Sequence, residues 1–499
     1  MATLNISTSP PKVLTTEEYR AHWQPEGWQL IIIGPTPTWR QEWGEWEAIR
    51  DIVQNALDES EAYYWGYDDK GLWIADRGRG VAVADFLLGP PKLKSDYARG
   101  KYGEGMKVAT LALIRRGYSV HIQTVGREFW IIFLEQEADI KIPTLSALWR
   151  PGGTRIGTRF HILGYTGDAF ADRFAVNLPR IAVIADGPSR LTRPVRRFNQ
   201  LIQTGSGSRI YARDIYMRDL KSPYSYNLWG FDMAPDRYGP KNEPDLWVDM
   251  GRLWCCISKV SLLEVFLKMM RNPPEIESEE SHNLRMDSWS MGNEPVTGKT
   301  YADFIAENAS SWREAWRDVY GDDAVLRTDE RWDGTVRHLG YTPISINYPV
   351  LDTLSRVIPT DSKLVKASQE RLREAKVIPD ASLTPRQRSH LKLARAIVGG
   401  TCRSGSVPTV HAAIIPPASD RVRTAGMYGR ITQEIFIASD QLERGSATVD
   451  TVIHEIAHHT SGAEDLEQSH SLAMTQVAAR VVKAAAAGDF DELLKEAVW

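Results

Sequence analysis

The stretch HEIAHH at residues 454–459 decides the fold that we expect for the last part of the chain, and a further histidine follows at position 470. In an α-helix, residues four apart lie on one face, so His454 and His458 can share one metal ion. Glu455 then projects beside that ion, where a carboxylate can accept a proton from water. The stretch therefore has the residue spacing of a zinc-dependent hydrolytic site.

The sequence around this stretch predicts a helix that packs on a small sheet. Gly445 and Ser446 predict the start of the helix, with Ser446 as the candidate N-cap. Two apolar, β-branched runs at 407–416 and 433–438 predict strands before it. The apolar positions that recur at the spacing of one helical face are Val449, Val452, Ile453 and Ile456.

Residues 381–499 resemble the minimal core of the zincin metallopeptidases, in which strands precede an HExxH helix. The resemblance implies a bound zinc ion, with His454 and His458 as ligands and Glu455 as the catalytic base that activates water. A protein would then be the substrate. His459 lies about 100° away from His458 around the helix, so it is expected outside the ligand set.

The third zinc ligand is open at this level. The metzincin pattern would need Gly at 461 and His at 464, but the chain has Ser461 and Glu464. His470 is our preferred ligand, because the residues that follow it resemble the tail by which some small zincins supply a third histidine. Asp465 and Glu464 are the alternatives.

Three short boxes follow one another near the other end of the chain. The first lies at 51–59, and from position 47 onward the apolar and polar positions separate onto two faces of one helix. The second is DRGRG at 76–80, directly after the apolar run 71–75, which predicts a strand. The third is GKYGEGMK at 100–107, whose glycines precede an apolar helical run and leave amide hydrogens free for phosphate.

In this order and spacing, the boxes are similar to those of the GHKL ATPases, which share the Bergerat fold, and the likeness covers residues 25–190. The resemblance implies ATP and Mg²⁺ as cofactors. It assigns Asn55 to the magnesium ion, Asp51 to the activation of water and Asp76 to the adenine amino group. ATP-hydrolysing members carry glutamate where this chain has Asp51, and Glu47 one turn earlier is the alternative base.

The same resemblance extends to a fourth element at 153–156, which is similar to the glycine-threonine strand of the family and assigns Thr154 to the adenine contact. The third box lacks the Gly-Lys-Ser/Thr of a Walker A loop and the strand and acidic residue of a dinucleotide-binding unit. The other nucleotide-binding residues that the boxes imply are Gly78, Gly80, Gly100, Lys101, Gly103, Gly105 and Lys107.

Between the two ends, the patterns predict elements but no chemistry. Residues 208–217 alternate like one strand, and 262–270 form an apolar helical run. The range 301–320 is typical of one helix, and 343–350 of a strand.

Composition narrows the classes of function. The chain has 499 residues with 60 basic and 64 acidic side chains, and its net charge of −4 gives no general attraction to nucleic acid. Three cysteines do not suit a disulfide framework, which favours a cytoplasmic location. The sequence shows neither a leader nor an apolar run of about eighteen residues, so we expect no membrane segment.

We therefore expect an α+β multidomain protein. Its expected parts are a GHKL ATPase domain with the Bergerat-fold α/β sandwich at 1–190, a transducer-like middle domain at 191–270, a linker and α/β connecting region at 271–380, and a minimal zincin α+β domain at 381–499.

The expected function is that of an ATPase and zinc metallopeptidase, in which the nucleotide state controls the peptidase through an ATP-dependent homodimer. Two alternatives stay open. One is an ATP-driven chaperone or remodelling clamp with a structural zinc site. The other is a DNA-transacting GHKL ATPase, which the charge balance does not favour.

Overall fold

The chain forms two compact units, Met1–Asp249 and Met250–Trp499. Helices and several separate sheets occur together, which confirms the expected mixture of helices and strands in an α+β protein. The Bergerat fold, the zincin fold and the domain boundaries at 190, 270 and 380 stay predictions. No described helix is long and apolar enough to cross a membrane. The computed structural model describes residues 9–60, 62–86, 104–135, 142–153, 155–189, 198–205, 207–234, 238–287, 291–294, 297–402, 407–463, 465 and 467–499.

An eight-stranded sheet forms the centre of the first unit. Its strands are β1 (Val13–Thr15), β2 (Gln29–Ile32), β3 (Tyr64–Asp68), β4 (Gly71–Ala75), β5 (Ser119–Thr124), β6 (Arg127–Glu135), β7 (Thr144–Pro151) and β8 (Arg159–Leu163). The order is β2-β7-β6-β5-β8-β4-β3, and β1 pairs with β6 in parallel, whereas the other neighbours are antiparallel. The strand predicted at 71–75 is therefore confirmed.

Two long helices bury their apolar faces against this sheet. The helical segments are α1 (Thr16–Glu18), which continues as the π-helical turn Tyr19–Trp23, then α2 (Glu45–Ser60) and α3 (Gly105–Arg115), with 3-10 turns at Val83–Phe86, Ala171–Arg173, Ala175–Asn177 and Arg180–Ala182. Ile52 of α2 and Leu113 of α3 belong to the same buried cluster as Ile122 of the sheet. Burying each such side chain stabilises the fold by about 1.5–3 kcal/mol, and this packing holds α2 beside α3.

A second sheet of five strands follows in the same unit. It consists of β9 (Val183–Ser189), β10 (Phe198–Ile202), β11 (Ser208–Ala212), β12 (Ile215–Leu220) and β13 (Ser225–Leu228), in the order β12-β11-β13-β10-β9. The prediction of one strand over 208–217 is wrong, because the chain turns back at Arg213 and Asp214. Both residues have positive φ, 53° and 75°, as a two-residue hairpin turn requires. Helix α4 (Glu243–Cys255) comes next.

The second unit begins with short helices around a two-stranded parallel sheet, β14 (Ala324–Leu326) and β15 (Thr342–Ile344). The predicted single helix at 301–320 is interrupted at Asn308, and the predicted strand at 343–350 is wrong beyond Ile344. Pro349 lies in the first turn of a helix, where its missing N–H costs nothing. The helices are α5 (Val260–Met270), α6 (Glu280–Asn283), α7 (Tyr301–Glu307), α8 (Ala309–Tyr320), α9 (Asp333–His338), α10 (Tyr348–Leu354) and α11 (Asp361–Leu372).

The last part of the chain packs helices on a four-stranded sheet, and the predicted HExxH helix and both preceding strands are confirmed. The strands are β16 (Lys376–Ile378), β17 (Thr409–Ile414), β18 (Gly426–Gly429) and β19 (Glu434–Ala438), in the order β16-β17-β19-β18. The helices are α12 (Pro385–Thr401), α13 (Gly445–Ser461), α14 (Gln468–Ala486) and α15 (Asp491–Glu496). The N-cap of α13 is the extended residue Arg444, so the prediction of Ser446 is wrong. Val452 and Ile456 are fully buried, as the predicted stripe requires.

The C-terminal residues fix the start of helix α13. The Nδ1 of buried His390 lies 2.7 Å from the carbonyl of Leu442, and its Nε2 accepts from the amide of Val498 at 3.0 Å. Because an amide can only donate, Nε2 is unprotonated and Nδ1 carries the hydrogen. The amide of Gly445 in turn donates to the carbonyl of Val498 at 2.7 Å.

Candidate functional site

Four candidate ligands from the end of the chain converge on one point. His454 and His458 lie on α13, His470 lies in the first turn of α14, and Asp465 lies between the two helices. One ligand atom from each residue lies within 4.8 Å of the others. The structure therefore brings the preferred third ligand and its alternative Asp465 together, and Glu464 lies outside the described residues.

The distances within this cluster fit a small metal ion. The Nε2 atoms of His454 and His458 are 3.1 Å apart, and the Oδ1 of Asp465 lies 3.0 Å from the first and 3.2 Å from the second. The edge of a regular tetrahedron is about 1.6 times the distance from its centre to a corner, which puts these atoms at about 1.9 Å from a common centre. That value is close to the zinc–nitrogen and zinc–oxygen distances of about 2.0–2.2 Å.

His470 is the fourth candidate ligand. Its ring stacks on that of His458 with 4.1 Å between the centroids, and the residue is 3% exposed. Its Nε2 atom is buried and has no hydrogen-bond partner among the described residues. Buried polar atoms are nearly always paired, and a metal ion held by the other three candidate ligands would give this nitrogen a partner.

Glu455 lies next to this cluster and is buried, with 4% of its surface exposed. Strand β18 closes over it: a Cβ on Gly426 would lie 2.7 Å from the Oε1 of Glu455 and 2.6 Å from the side chain of Thr451. Burial raises the pKa of Glu455 from 4.5 to about 7. A carboxylate with a pKa near neutrality can accept and return a proton at physiological pH.

The histidines and Asp465 shift one another's protonation in the metal-free chain. The hydrogen bond to Asp465 raises the pKa of His454. Burial would lower the pKa of His458, but hydrogen bonds to Asp465 and to the carbonyl of Ala463 outweigh it and raise that pKa. Burial would raise the pKa of Asp465, yet the two histidines hold it well below its usual range. Where His454 and His458 are protonated, metal binding displaces their protons, whereas burial lowers the pKa of His470.

Two further histidines lie around the centre. His459 shares a hydrogen bond between its Nδ1 and the hydroxyl of Tyr428 at 2.8 Å, and it does not belong to the four-donor cluster of the described residues. The Nε2 of His338, at the end of α9, lies 3.3 Å from the Oδ2 of Asp465. The sequence carries no signal for His338, because no motif spacing links it to the HExxH helix.

In the first unit, the boxes that follow one another in the sequence also meet in space. A Cβ on Gly105, at the start of α3, would lie 2.1 Å from the Oδ2 of Asp51 on α2. A Cβ on Gly78 would lie 2.6 Å from the Cβ of Glu59, also on α2. A Cβ at either position would have to displace a side chain of α2, so glycine allows these backbones to approach the helix closely.

Asp76 is buried at the centre of the second box. Its Oδ1 accepts from the amides of Gly78 at 2.7 Å and Thr158 at 3.2 Å, and its own amide donates to the carbonyl of Thr158 at 2.8 Å. Burial raises the pKa of Asp76, against these hydrogen bonds, which lower it. The hydroxyl of Thr158 lies 3.2 Å from that of Thr124.

Thr158 was not among the residues predicted from the sequence. Thr154, which was assigned to the adenine contact, lies outside the described residues, as do Gly100, Lys101 and Gly103. A signal for Thr158 was present, because Gly157-Thr158 repeats the glycine-threonine pair directly before β8.

Both candidate bases on α2 are engaged. The Oδ1 of Asp51 lies 3.3 Å from the Nε of Arg50, and the two side chains are 1% and 2% exposed. Glu47 accepts from the amide of Gly44 and from the hydroxyl of Tyr238, each at 2.7 Å. In this state, neither carboxylate is positioned to take a proton from bulk water.

The remaining assigned residues surround this area. Asn55 is partly exposed one turn after Asp51 on α2. Lys107 on α3 is buried, and burial lowers its pKa although Glu104 and Asp85 act against that shift. Gly80 has a φ of 87°, and a Cβ there would lie 2.6 Å from the hydroxyl of Thr124. These positions stay predictions for a nucleotide site.

No protein-family model matches the chain, and no curated protein matches it.

Proposed function

We propose that the chain is an ATP-binding, ATP-hydrolysing protein whose nucleotide state controls a zinc-dependent peptidase. The proposed peptidase activity is supported by the cluster of three histidines and Asp465, with Glu455 buried beside it. Zinc, when bound by this donor set, supplies Lewis acidity toward water and a peptide carbonyl. Glu455 takes a proton from the attacking water and returns it to the leaving nitrogen. One water is thereby added across the C–N bond, which gives a carboxylic acid and an amine.

The position of β18 supports a peptide substrate. This strand pairs with β19 and ends the strand order of its sheet among the described residues. An extended peptide can add to such an edge through backbone hydrogen bonds. Since Gly426 of this strand touches Glu455, a peptide bound along the edge would pass the catalytic carboxylate.

The proposed ATPase activity is supported by the close approach of the three sequence boxes in the first unit. Asp76, held by the amides of Gly78 and Thr158, would accept from the adenine amino group. Asn55 would hold magnesium, whose preferred ligands are oxygens, and Lys107 would face phosphate. Asp51 would orient the attacking water after its release from Arg50.

Cleavage of a protein substrate in different nucleotide states tests the proposal. We expect casein cleavage by the zinc-loaded chain to differ between a non-hydrolysable ATP analogue, ADP and no nucleotide. Asp76→Asn should remove this dependence, and Glu455→Gln should abolish cleavage under all conditions. The exposed residues Asp69 and Glu370 provide the controls Asp69→Asn and Glu370→Gln. Equal cleavage in all nucleotide states would refute the coupling, and cleavage by Glu455→Gln would refute the peptidase.

The number of donors favours a second candidate, an ATP-driven clamp with a structural zinc site. Structural zinc sites have four protein ligands, and catalytic sites keep one position open. This candidate expects Glu455→Gln to leave every measurable activity unchanged. The same cleavage experiment therefore separates the two functions.

A further inference from the structure

The four-donor cluster differs from a catalytic zinc site in one respect. Catalytic zinc is held by three protein ligands, so that water or substrate can take the fourth position. His454, His458, His470 and Asp465 together would fill all four positions. For a peptidase, one of these donors has to be removable.

The surroundings of the donors indicate which one it is. The three histidines project from α13 and α14, and these helices pack together through Ile456 and Val477, both fully buried. Asp465 belongs to neither helix, and its Oδ1 is directed at the two histidines of α13. Its second oxygen, Oδ2, lies 3.3 Å from His338 on α9.

We propose that Asp465 is a removable fourth ligand that closes the metal centre, and that His338 is the positioning residue that holds it there. Hydrogen bonds to the outer atoms of a metal ligand fix its orientation and typically change metal affinity by about 10–100-fold. This inference rests on the proposed peptidase function, because a permanently structural zinc would need no opening.

The element that carries His338 makes this contact adjustable. Val336 of α9 packs in a separate small core with Val325 and Val365, which lie outside the cluster that supports α13. A displacement of α9 would remove the imidazole of His338 from Oδ2 while leaving the three histidines in place. Asp465 would then be free to leave the metal, and the position beside Glu455 would open.

Cobalt substitution and azide binding test this directly. Co²⁺ replaces zinc in tetrahedral sites, and its visible absorption reports the coordination number and the binding of azide at an open position. In the wild-type chain we expect a four-coordinate spectrum that azide does not change. Asp465→Ala and Asp465→Asn should open the centre, so that azide binds at least about ten-fold more tightly.

The variants of His338 test the positioning role. His338→Ala should admit azide and weaken zinc by about 10–100-fold in competition with a chelator. His338→Gln places a polar amide toward Oδ2 and should restore most of the wild-type behaviour. His282 is an exposed histidine of the same unit that pairs with Glu277, so His282→Ala is the matched control and should change neither value.

The outcomes separate this inference from the proposed function. Azide binding to wild-type cobalt chain as tight as to Asp465→Ala would overturn the closed centre. Identical zinc affinity and azide binding in His338→Ala and wild type would overturn the role of His338, since this half-exposed side chain can be removed without unfolding the chain. Neither result would affect the requirement for Glu455, which the cleavage experiment tests. A chain that binds no cobalt would contradict both proposals.

Discussion

Asp76 and Thr158 are joined by two hydrogen bonds: the amide of Asp76 donates to the carbonyl of Thr158 at 2.8 Å, and the amide of Thr158 donates to the side-chain Oδ1 of Asp76 at 3.2 Å. A Cβ on the preceding Gly157 would lie 2.1 Å from the carbonyl oxygen of Asp76. The second box and the start of β8 therefore form one structure, in which the aspartate cannot rotate without losing a hydrogen bond.

We expect Asp76→Asn to abolish ATP binding, because an amide presents a donor where the adenine amino group needs an acceptor. Thr158→Val should weaken binding by about 3–10-fold, the value of one neutral hydrogen bond. Isothermal titration calorimetry with Mg-ATP measures both effects. Thr144→Val, on β7 of the same sheet, is the control. Undiminished affinity in Asp76→Asn would contradict the assignment of the second box.

Gly105→Ala should impair ATP hydrolysis more than ATP binding. The added methyl group would lie 2.1 Å from the Oδ2 of Asp51 and would displace the candidate base. We expect turnover to fall by about ten-fold or more, as it should in Asp51→Asn, since general base catalysis contributes about 10²–10⁴-fold. Phosphate release measures turnover. Gly205→Ala, where a Cβ meets no atom within 4 Å, should be silent. A normal rate in Asp51→Asn, with loss in Glu47→Gln, would transfer the role of base to Glu47.

The purified chain should contain about one zinc ion. His454→Ala or His458→Ala should remove this ion, because each variant lacks one of the candidate zinc ligands. His470→Ala should weaken zinc, since its buried nitrogen completes the set. His459→Ala is the matched control on the same helix and should retain the metal. Elemental analysis after dialysis measures the content. Equal zinc in wild type and in His454→Ala would refute the site.

The stability of the metal-free chain should depend on pH through Glu455. Its pKa is raised from 4.5 to about 7 on folding, so its contribution to stability is complete below pH 4.5 and is lost as the pH rises through 7. The difference corresponds to about 3 kcal/mol at most. Glu455→Gln should therefore exceed wild type in its free energy of unfolding by more at pH 8 than at pH 5. Urea denaturation with a chelator measures this, and Glu370→Gln should show no such difference. An equal effect of Glu455→Gln at both pH values would show that the carboxylate is not buried.

Gly426→Ala should lower peptidase activity and leave zinc in place. The methyl group would meet the Oε1 of Glu455 at 2.7 Å, so it would displace the catalytic carboxylate but not the histidines. We expect a loss of about ten-fold or more in cleavage rate, because a misplaced general base is a poor one. Gly399→Ala in α12 meets no atom within 4 Å and is the control. Full activity of Gly426→Ala would mean that Glu455 does not act from this position.

Local spacing predicted the parts of the site that lie within one element. His454, Glu455 and His458 lie on one helix, so their relation follows from helical geometry and was predicted without the fold. Asp465 was an alternative to His470, and only the packing of α13 against α14 shows that both face the same point. His338 comes from a distant helix and could not be predicted by spacing.

The two strands that were wrongly predicted, at 208–217 and 343–350, also show the limits of local sequence patterns. Residues 208–217 alternate between apolar and polar on both sides of the turn. This alternation carries no information about the positive φ angles of Arg213 and Asp214, where the chain turns. At 343–350 the β-branched residues predicted a strand, but Pro349 fits the first turn of a helix equally well. Short segments of this kind take their structure from tertiary contacts, which outweigh weak local preferences.

The contacts of His390 and Gly445 make the start of α13 dependent on Val498. Val498 is the acceptor for Gly445 and the donor to His390, so a chain that lacks Val498 would have a buried imidazole nitrogen and a helix-start amide without these partners. Each unpaired buried group costs about 1–3 kcal/mol. Loss of Val498 would thus loosen helix α13 without touching any of the candidate metal ligands that it carries.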